Sequence, residues 1–197
     1  IFVNPTQFAP GEDFDAYPRT LEADMDALET VGADLVWAPA PQDVYPTPVT
    51  VTIDPGPIAR VLEGKTRPTH FAGVALVCTK VVNLVRPDVA LYGQKDAQQL
   101  AILRRMVRDL SYGITLVGCP IVREPDGLAK SSRNTYLSKE ERRAALVLSQ
   151  AVALGEDLVA SGETDARSIV TAMTDHLAAE PLARVDYVSA VDGGPME

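Results

Sequence analysis

Lys130, Ser131, Ser132, Arg133 and Asn134 follow one another in the segment LAKSSRNTYLS, residues 128–138. They bring an ammonium, two hydroxyls, a forked guanidinium and several backbone amides into one short stretch, a set suited to the many oxygens of a triphosphate. Asp126 and Gly127 just upstream permit the tight turn that brings such a backbone close to a ligand. A polar interdomain linker has the same composition. A second set, Gly93, Gln94, Lys95 and Asp96, stands between the apolar strand pattern DVALYG and a helical pattern, where backbone N–H groups and the helix dipole favour an anion. Lys95 suits a phosphate and Asp96 the hydroxyls of a ribose; a solvent-exposed turn with a helix-capping aspartate reads equally well. A third set is made of amides. Asn4 and Gln7 follow a short apolar segment, and Gln98 and Gln99 open the helix after GQKD. Each amide offers both donors and an acceptor, so together at adjacent strand ends they can orient a small polar substrate through its hydroxyl and carboxylate. Singly, each is an ordinary turn or surface residue.

Other chemistries lack their residues. There are two histidines, His70 in PTHFAG and His176 in a polar helix, the first structural or site-adjacent and the second expected at the surface. No His, Cys and carboxylate spacing resembles a metal cage, and neither G-x-S-x-G nor a Walker A sequence occurs. The formal net charge of −9 argues against general nucleic-acid affinity, so a bound polyanion needs a local basic site. Cys78 and Cys119 lie in apolar surroundings and read as small buried core residues, which implies a cytoplasmic home. No apolar run is long enough for a membrane span. Since 46% of residues are hydrophobic and 23% charged, a globular chain of 197 residues with one or two domains is expected.

The elements that position these sets alternate. The segment IFV (1–3) reads as a strand; Leu21, Met25 and Leu28 recur with helical spacing after Thr20, a plausible N-cap, and Gly32 offers a stop. DLVWA (34–38) reads as a strand, VTVTI (49–53) as another, 58–62 as a short helix, and 71–85 as a buried helix by its length. DVALYG leads into a helix with Leu100, Leu103, Met106, Val107 and Leu110 on one stripe, and ITLVG (114–118), with PIVRE beyond it, supplies the next strands. This alternation describes an α/β fold with a doubly wound parallel sheet, whose ligands sit outside the carboxyl ends of the strands. From Ser138 the pattern changes. Ser138 and Glu141 form a capping box, the helix they open runs to about Ala160, another begins near Asp165, and RVDYVSAV (184–191) reads as a strand. The chain therefore divides into a Rossmann-like domain over 1–121 and a smaller α+β domain over 122–197.

Taken together, IFVNPTQF, DAYPRT, LEGKTRPTHFAGV, LYGQKDAQQL and REPDGLAKSSRNTYL resemble the pantothenate synthetases, ATP-dependent ligases that join pantoate to β-alanine. The resemblance implies a nucleotidyltransferase-type Rossmann fold related to the class I aminoacyl-tRNA synthetases, a homodimer, and the use of ATP with Mg²⁺. It also implies roles. Gln7 and Gln99 hold pantoate; Gly93, Gln94, Lys95, Asp96, the backbone near Val122, and Lys130, Ser131, Ser132 and Arg133 bind ATP. Lys95, Asn4 and Arg133 form the catalytic group, with Asn4 beside the reacting atoms and Lys95 neutralising the α-phosphate. Asp24 matches an acidic position suggested for Mg²⁺, although Ala23 precedes it. At Lys130 many relatives carry a hydrophobic residue, so its phosphate role is assigned from chemistry rather than pattern.

The same resemblance marks two departures. The family's HxGH motif belongs to a first strand and helix upstream of Ile1, and neither His70 nor His176 matches it; the chain also stops before the family's usual final strand region. Sequence upstream of IFVNP is therefore expected to be missing, and the chain as written is expected to be inactive without it. Two alternatives stand beside this reading: another nucleotidyltransferase of the same fold, and a non-catalytic nucleotide-binding or dimerisation piece.

Overall fold

A turn that begins at Asn4 and a helix packed against it set the geometry of the first amide pair. The computed structural model describes residues 1–191. Asn4 opens a 3-10 turn, Pro5–Gln7, in which the proline at the first position needs no N–H partner and Thr6 N donates to Asn4 Oδ1 at 3.3 Å. Helix α1, Leu21–Thr30, follows; it starts after Thr20, but the Thr20 hydroxyl bonds the Asp24 carboxylate at 3.2 Å instead of a backbone N–H. Its expected apolar stripe is not covered in this chain, since no residue of α1 is buried. Two single-turn helices, α2 (Pro41–Val44) and α3 (Glu63–Thr66), interrupt the loops that follow. The short helix expected over 58–62 is a 3-10 turn, Pro57–Arg60.

Helix α4, His70–Val85, is the buried helix that its length suggested. Phe71, Val74, Ala75, Cys78 and Val82 are all buried and recur at i, i+3, i+4, i+7 and i+11, which puts them on one face. Arg86 ends it in the left-handed conformation, with its N–H on the Val82 carbonyl, and Pro87 prevents continuation. Strand β1 (Val89–Gly93), helix α5 (Ala97–Asp109) and strand β2 (Thr115–Cys119) complete a strand, helix, strand unit with the two strands adjacent and parallel. Phe71 of α4, Ile102 of α5 and Ala59 pack together as a core. Leu110, expected on the α5 stripe, lies past the end of the helix and is exposed.

Further strands expected at residues 1–3, 34–38, 49–53 and 184–191 do not appear in ladders, so among the described residues the sheet has two strands. The apolar pattern of those segments suits a strand, but a ladder also needs a neighbour for its N–H and C=O groups. The amine of Ile1 donates to the Trp37 carbonyl, and no ladder continues from that contact.

The chain separates into two compact units: Ile1–Leu91 with Gln98–Val117, and Tyr92–Ala97 with the chain from Gly118 onward. In the second unit a tight hairpin replaces the extra strand expected at PIVRE. Arg123 and Ala129 form a lone antiparallel bridge, flanked by Lys130 N on Val122 O at 2.9 Å and Glu124 N on Leu128 O at 2.7 Å. Gly127 sits at its tip with φ +96°, a conformation that favours glycine. Helix α6, Lys139–Ala144, carries the expected capping box, with Ser138 N on Glu141 Oε2 at 2.8 Å and Glu141 N on Ser138 Oγ at 3.3 Å. It does not run through to Ala160. Leu148 N bonds Ala145 O, three residues back rather than four, and the chain resumes as α7, Leu146–Ala160. Helix α8, Ala166–Ala178, starts at Asp165, whose carboxylate accepts Arg167 N, and Leu177 packs on Val147 and Ala151 of α7.

Gly73 is where α4 meets the Pro5–Gln7 turn. A Cβ there falls 2.2 Å from Thr6 O and 2.5 Å from Thr6 C, both backbone atoms, so helix and turn must part to admit it. Gly73→Ala is expected to cost about 1–3 kcal/mol, the range for overpacking a tight contact. Urea unfolding, read as a lower midpoint at unchanged slope, checks it.

Candidate active site

In the first unit Asn4 is 4% exposed and every hydrogen-bonding position of its amide is used. Its Nδ2 donates to Gln7 Oε1 at 3.1 Å and to Gly73 O at 3.2 Å. Its Oδ1 accepts from Thr6 N, from the Thr6 hydroxyl at 3.0 Å, and from the Tyr45 hydroxyl at 2.8 Å. The pair Asn4 and Gln7, expected from the sequence, is thus brought together directly, with Asn4 inside and Gln7 half-buried in front of it. Burial pushes the Tyr45 hydroxyl above its usual range, which keeps it protonated as a donor.

Gln98 and Gln99, adjacent in α5, differ sharply. Gln98 is buried: its Nε2 donates to Ile58 O at 2.8 Å and Val61 O at 2.7 Å, and its Oε1 accepts Glu63 N at 3.1 Å. It is a strap between α5 and the 58–63 loop. Gln99 is half-exposed.

A charged cluster holds the main chain of Gln7. Arg67 makes a bidentate pair with Glu12, at 2.8 and 2.5 Å, reaches Glu63 at 3.3 Å, and donates to Gln7 O at 3.3 Å. His70 Nδ1 is 3.0 Å from the same carbonyl. The Arg67 guanidinium holds the Glu12 carboxyl below the usual range, while Glu12 raises Arg67; burial lowers His70. Glu12, Tyr45, Arg67 and Gly73 were not singled out from the sequence. Arg67 and His70 sit in RPTHF, three residues apart at a helix start, and that spacing was the available clue.

The second unit holds the anion-binding candidates. Gly93 ends β1; Gln94, Lys95 and Asp96 form a 3-10 turn, all exposed, with Lys95 Nζ 3.5 Å from Asp96 Oδ1. Lys95 therefore stands at the carboxyl end of a strand, as the sequence pattern required. Val122 and Lys130 are opposed across the hairpin through Lys130 N and Val122 O, and Lys130 Nζ lies 3.9 Å from Glu124. Ser131 caps a 3-10 turn, Ser132–Tyr136, by accepting Arg133 N on its hydroxyl, and Asn134 Nδ2 donates to Ala129 O at 3.0 Å. The KSSRN segment is therefore an ordered turn rather than an open loop. Asp126 of the hairpin pairs with Arg142 of α6 at 2.9 Å, which ties the turn to its neighbour.

Among the described residues no group of three or more His, Cys, Asp and Glu side chains is arranged to hold a metal ion. Asp24 is half-exposed and contributes a single carboxylate, already met by Thr20. One carboxylate does not build a resident Mg²⁺ site, though an ion carried on phosphates takes only one or two protein oxygens. Cys78 is buried, Cys119 is partly so, and both are free thiols. His176, expected at the surface, is half-exposed at the end of α8, with its Nε2 turned inward and without a hydrogen-bond partner. No helix among the described residues is long and apolar enough to cross a membrane.

The family model for pantoate-beta-alanine ligase matches residues 1–197. The chain belongs to the pantoate-beta-alanine ligase family. Within it, the pantothenate synthetase of Ruminiclostridium cellulolyticum is 51% identical over 197 residues, all of this chain and 70% of that protein. The pantothenate synthetase of Saccharopolyspora erythraea is 52% identical over 192 residues, 98% of this chain and 63% of that protein. The crystal structure of the Thermus thermophilus pantothenate synthetase superposes with a TM-score of 0.93 at 42% identity, covering 98% of this chain and 70% of that one. A Francisella tularensis pantoate-beta-alanine ligase, complexed with beta-gamma ATP and beta-alanine, superposes with a TM-score of 0.76 at 31% identity, covering 89% and 66%.

The lowered pKa of His70 fixes a pH response with a definite sign. The folded protein prefers the neutral ring, so stability is full above the unfolded value of about 6.5 and declines as pH falls through the lower folded value. Thermal midpoints measured between pH 7.5 and 5 are expected to fall, and to fall less in His70→Asn.

Proposed function

We propose that this protein condenses pantoate with β-alanine at the expense of ATP, through a pantoyl adenylate, releasing pyrophosphate and then AMP. The observation that carries the reading is the 51% identity with a pantothenate synthetase over all 197 residues. The two polar sets described above have the chemistry that reaction needs.

In the first step a pantoate carboxylate oxygen attacks the α-phosphorus of ATP, and the bond to the β-phosphate oxygen breaks. Gln7 and Gln99 hold pantoate through its hydroxyls and carboxylate, and Asn4 keeps Gln7 in place. Lys95 lies beside the α-phosphate, where its ammonium offsets the charge that grows on the equatorial oxygens. The hydroxyls of Ser131 and Ser132 and the cations of Lys130 and Arg133 hold the phosphates, while Gly93, Gln94, Asp96 and the Val122 backbone receive the nucleoside. In the second step the neutral β-alanine amine attacks the acyl carbon, the acyl–phosphate bond breaks, and the amine loses a proton. Asp24 would offer one carboxylate oxygen to Mg²⁺ carried on the nucleotide phosphates, where the ion would offset phosphate charge.

The same reading extends to the scaffold. It comprises a doubly wound Rossmann-like domain over 1–121, of the nucleotidyltransferase type and related to the class I aminoacyl-tRNA synthetases, and a smaller α+β domain over 122–197. It also includes a homodimer, which sedimentation would report, and a cytoplasmic location, consistent with two free thiols.

In the intact protein, pyrophosphate release is expected to need ATP and pantoate but not β-alanine, and AMP release to need all three. Pyrophosphate release that ignores pantoate overturns the assignment. Lys95→Ala is expected to lower the rate of pyrophosphate release by about 10²–10³, the range for removing one preorganised group from a developing oxyanion. A rate within threefold of the parent would remove Lys95 from the mechanism.

A further inference from the structure

Which end of the Gln7 amide meets a ligand is decided by groups behind it. Two backbone groups orient Asn4: the Thr6 N–H requires an oxygen opposite it, and the Gly73 carbonyl requires a nitrogen. The Asn4 NH₂ therefore faces Gln7, so Gln7 must turn its own oxygen inward, at 3.1 Å. Its NH₂ then points away from Asn4 and is the part left to offer. An amide so placed reads oxygen lone pairs, as on a carboxylate, and disfavours a donor.

Tyr45 closes this arrangement from the far side. Its hydroxyl gives Asn4 Oδ1 the shortest of the three bonds that oxygen accepts, 2.8 Å against 3.0 and 3.3 Å. The same hydroxyl is 3.2 Å from the Thr6 hydroxyl. Its ring is held independently, with Lys80 Nζ 5.5 Å from the centroid and Phe2 tilted against it at 6.4 Å. Removing the oxygen alone thus leaves the ring seated. We propose that Tyr45 is a positioning residue which, through Asn4, holds the Gln7 NH₂ toward an oxygen of pantoate, so that the site reads an acid by its acceptor oxygens. This rests on the reading of Gln7 as a pantoate ligand.

The test is a double-mutant cycle in the intact protein, with pantoate KM, ATP KM, kcat and the unfolding midpoint measured for each variant. Tyr45→Phe is expected to raise the pantoate KM about fivefold, the loss of one ordinary hydrogen bond, with the ATP KM and kcat within twofold and the midpoint lowered only by the amount that one such bond accounts for. Gln7→Ala is expected to raise the pantoate KM further, and Tyr45→Phe to add nothing in that background. If Tyr45→Phe acts equally in both backgrounds, or leaves the pantoate KM alone while Gln7→Ala raises it, the positioning role is overturned and the assignment of Gln7 survives. If Gln7→Ala itself leaves the pantoate KM unchanged, the assignment of Gln7 falls, and this inference with it.

Discussion

A buried amide with no hydrogen-bonding capacity to spare organises the first unit. Asn4 is held by two backbone groups and two hydroxyls, and it in turn directs Gln7. An amide buried this fully is stabilising only when all its partners are present, since each missing one leaves a polar atom without water or protein. That condition reaches outward. It requires α4 to lie against the Pro5–Gln7 turn closely enough for the Gly73 carbonyl to be reached, which only a residue without a side chain allows. It also requires the 41–45 turn to deliver Tyr45.

Charge is distributed on a different principle. The chain is acidic overall, at −9, yet the two stretches with anion-binding chemistry present Lys95, Lys130 and Arg133 in exposed positions. Exposed cations stay solvated while no ligand is present, and a nearby carboxylate such as Asp96 or Glu124 competes only weakly at 3.5 and 3.9 Å. The first unit also holds one shielded pair, beside exposed ones such as Arg60 with Asp54. Arg67 and Glu12 are bidentate and largely shielded, and they steady a main-chain carbonyl rather than contact solvent anions. The Arg67 cluster thus fixes backbone, whereas Lys95 and Lys130 leave their ammonium groups largely in solvent.

Legibility from sequence followed the range of the interactions. Helix α4, β1, α5, β2 and the Ser138 capping box were readable because each depends on a local period or a three-residue spacing. Lys95 was readable as a strand-end residue for the same reason. The strands expected at 1–3, 34–38 and 49–53 were not secured by their patterns, because pairing is settled by neighbours that a local pattern does not contain. The break at Ala145 carries no proline or glycine to announce it. Tyr45 and Gly73 lie 41 and 69 residues from Asn4, and nothing in their own surroundings points to it.

The unequal neighbours in α5 have a consequence for geometry. Successive residues on an α-helix are separated by roughly 100° about its axis. With Gln98 bonded to Ile58, Val61 and Glu63, the rotation of α5 about its own axis is indexed at that point, as a keyed shaft is. Gln99 inherits its azimuth from that key. The angular accuracy of a half-exposed residue is therefore set by an identical residue beside it that faces inward, so the two glutamines tolerate change in opposite ways. At 98 even glutamate loses donors that two carbonyls require, whereas at 99 the demands come from whatever lies outside the helix.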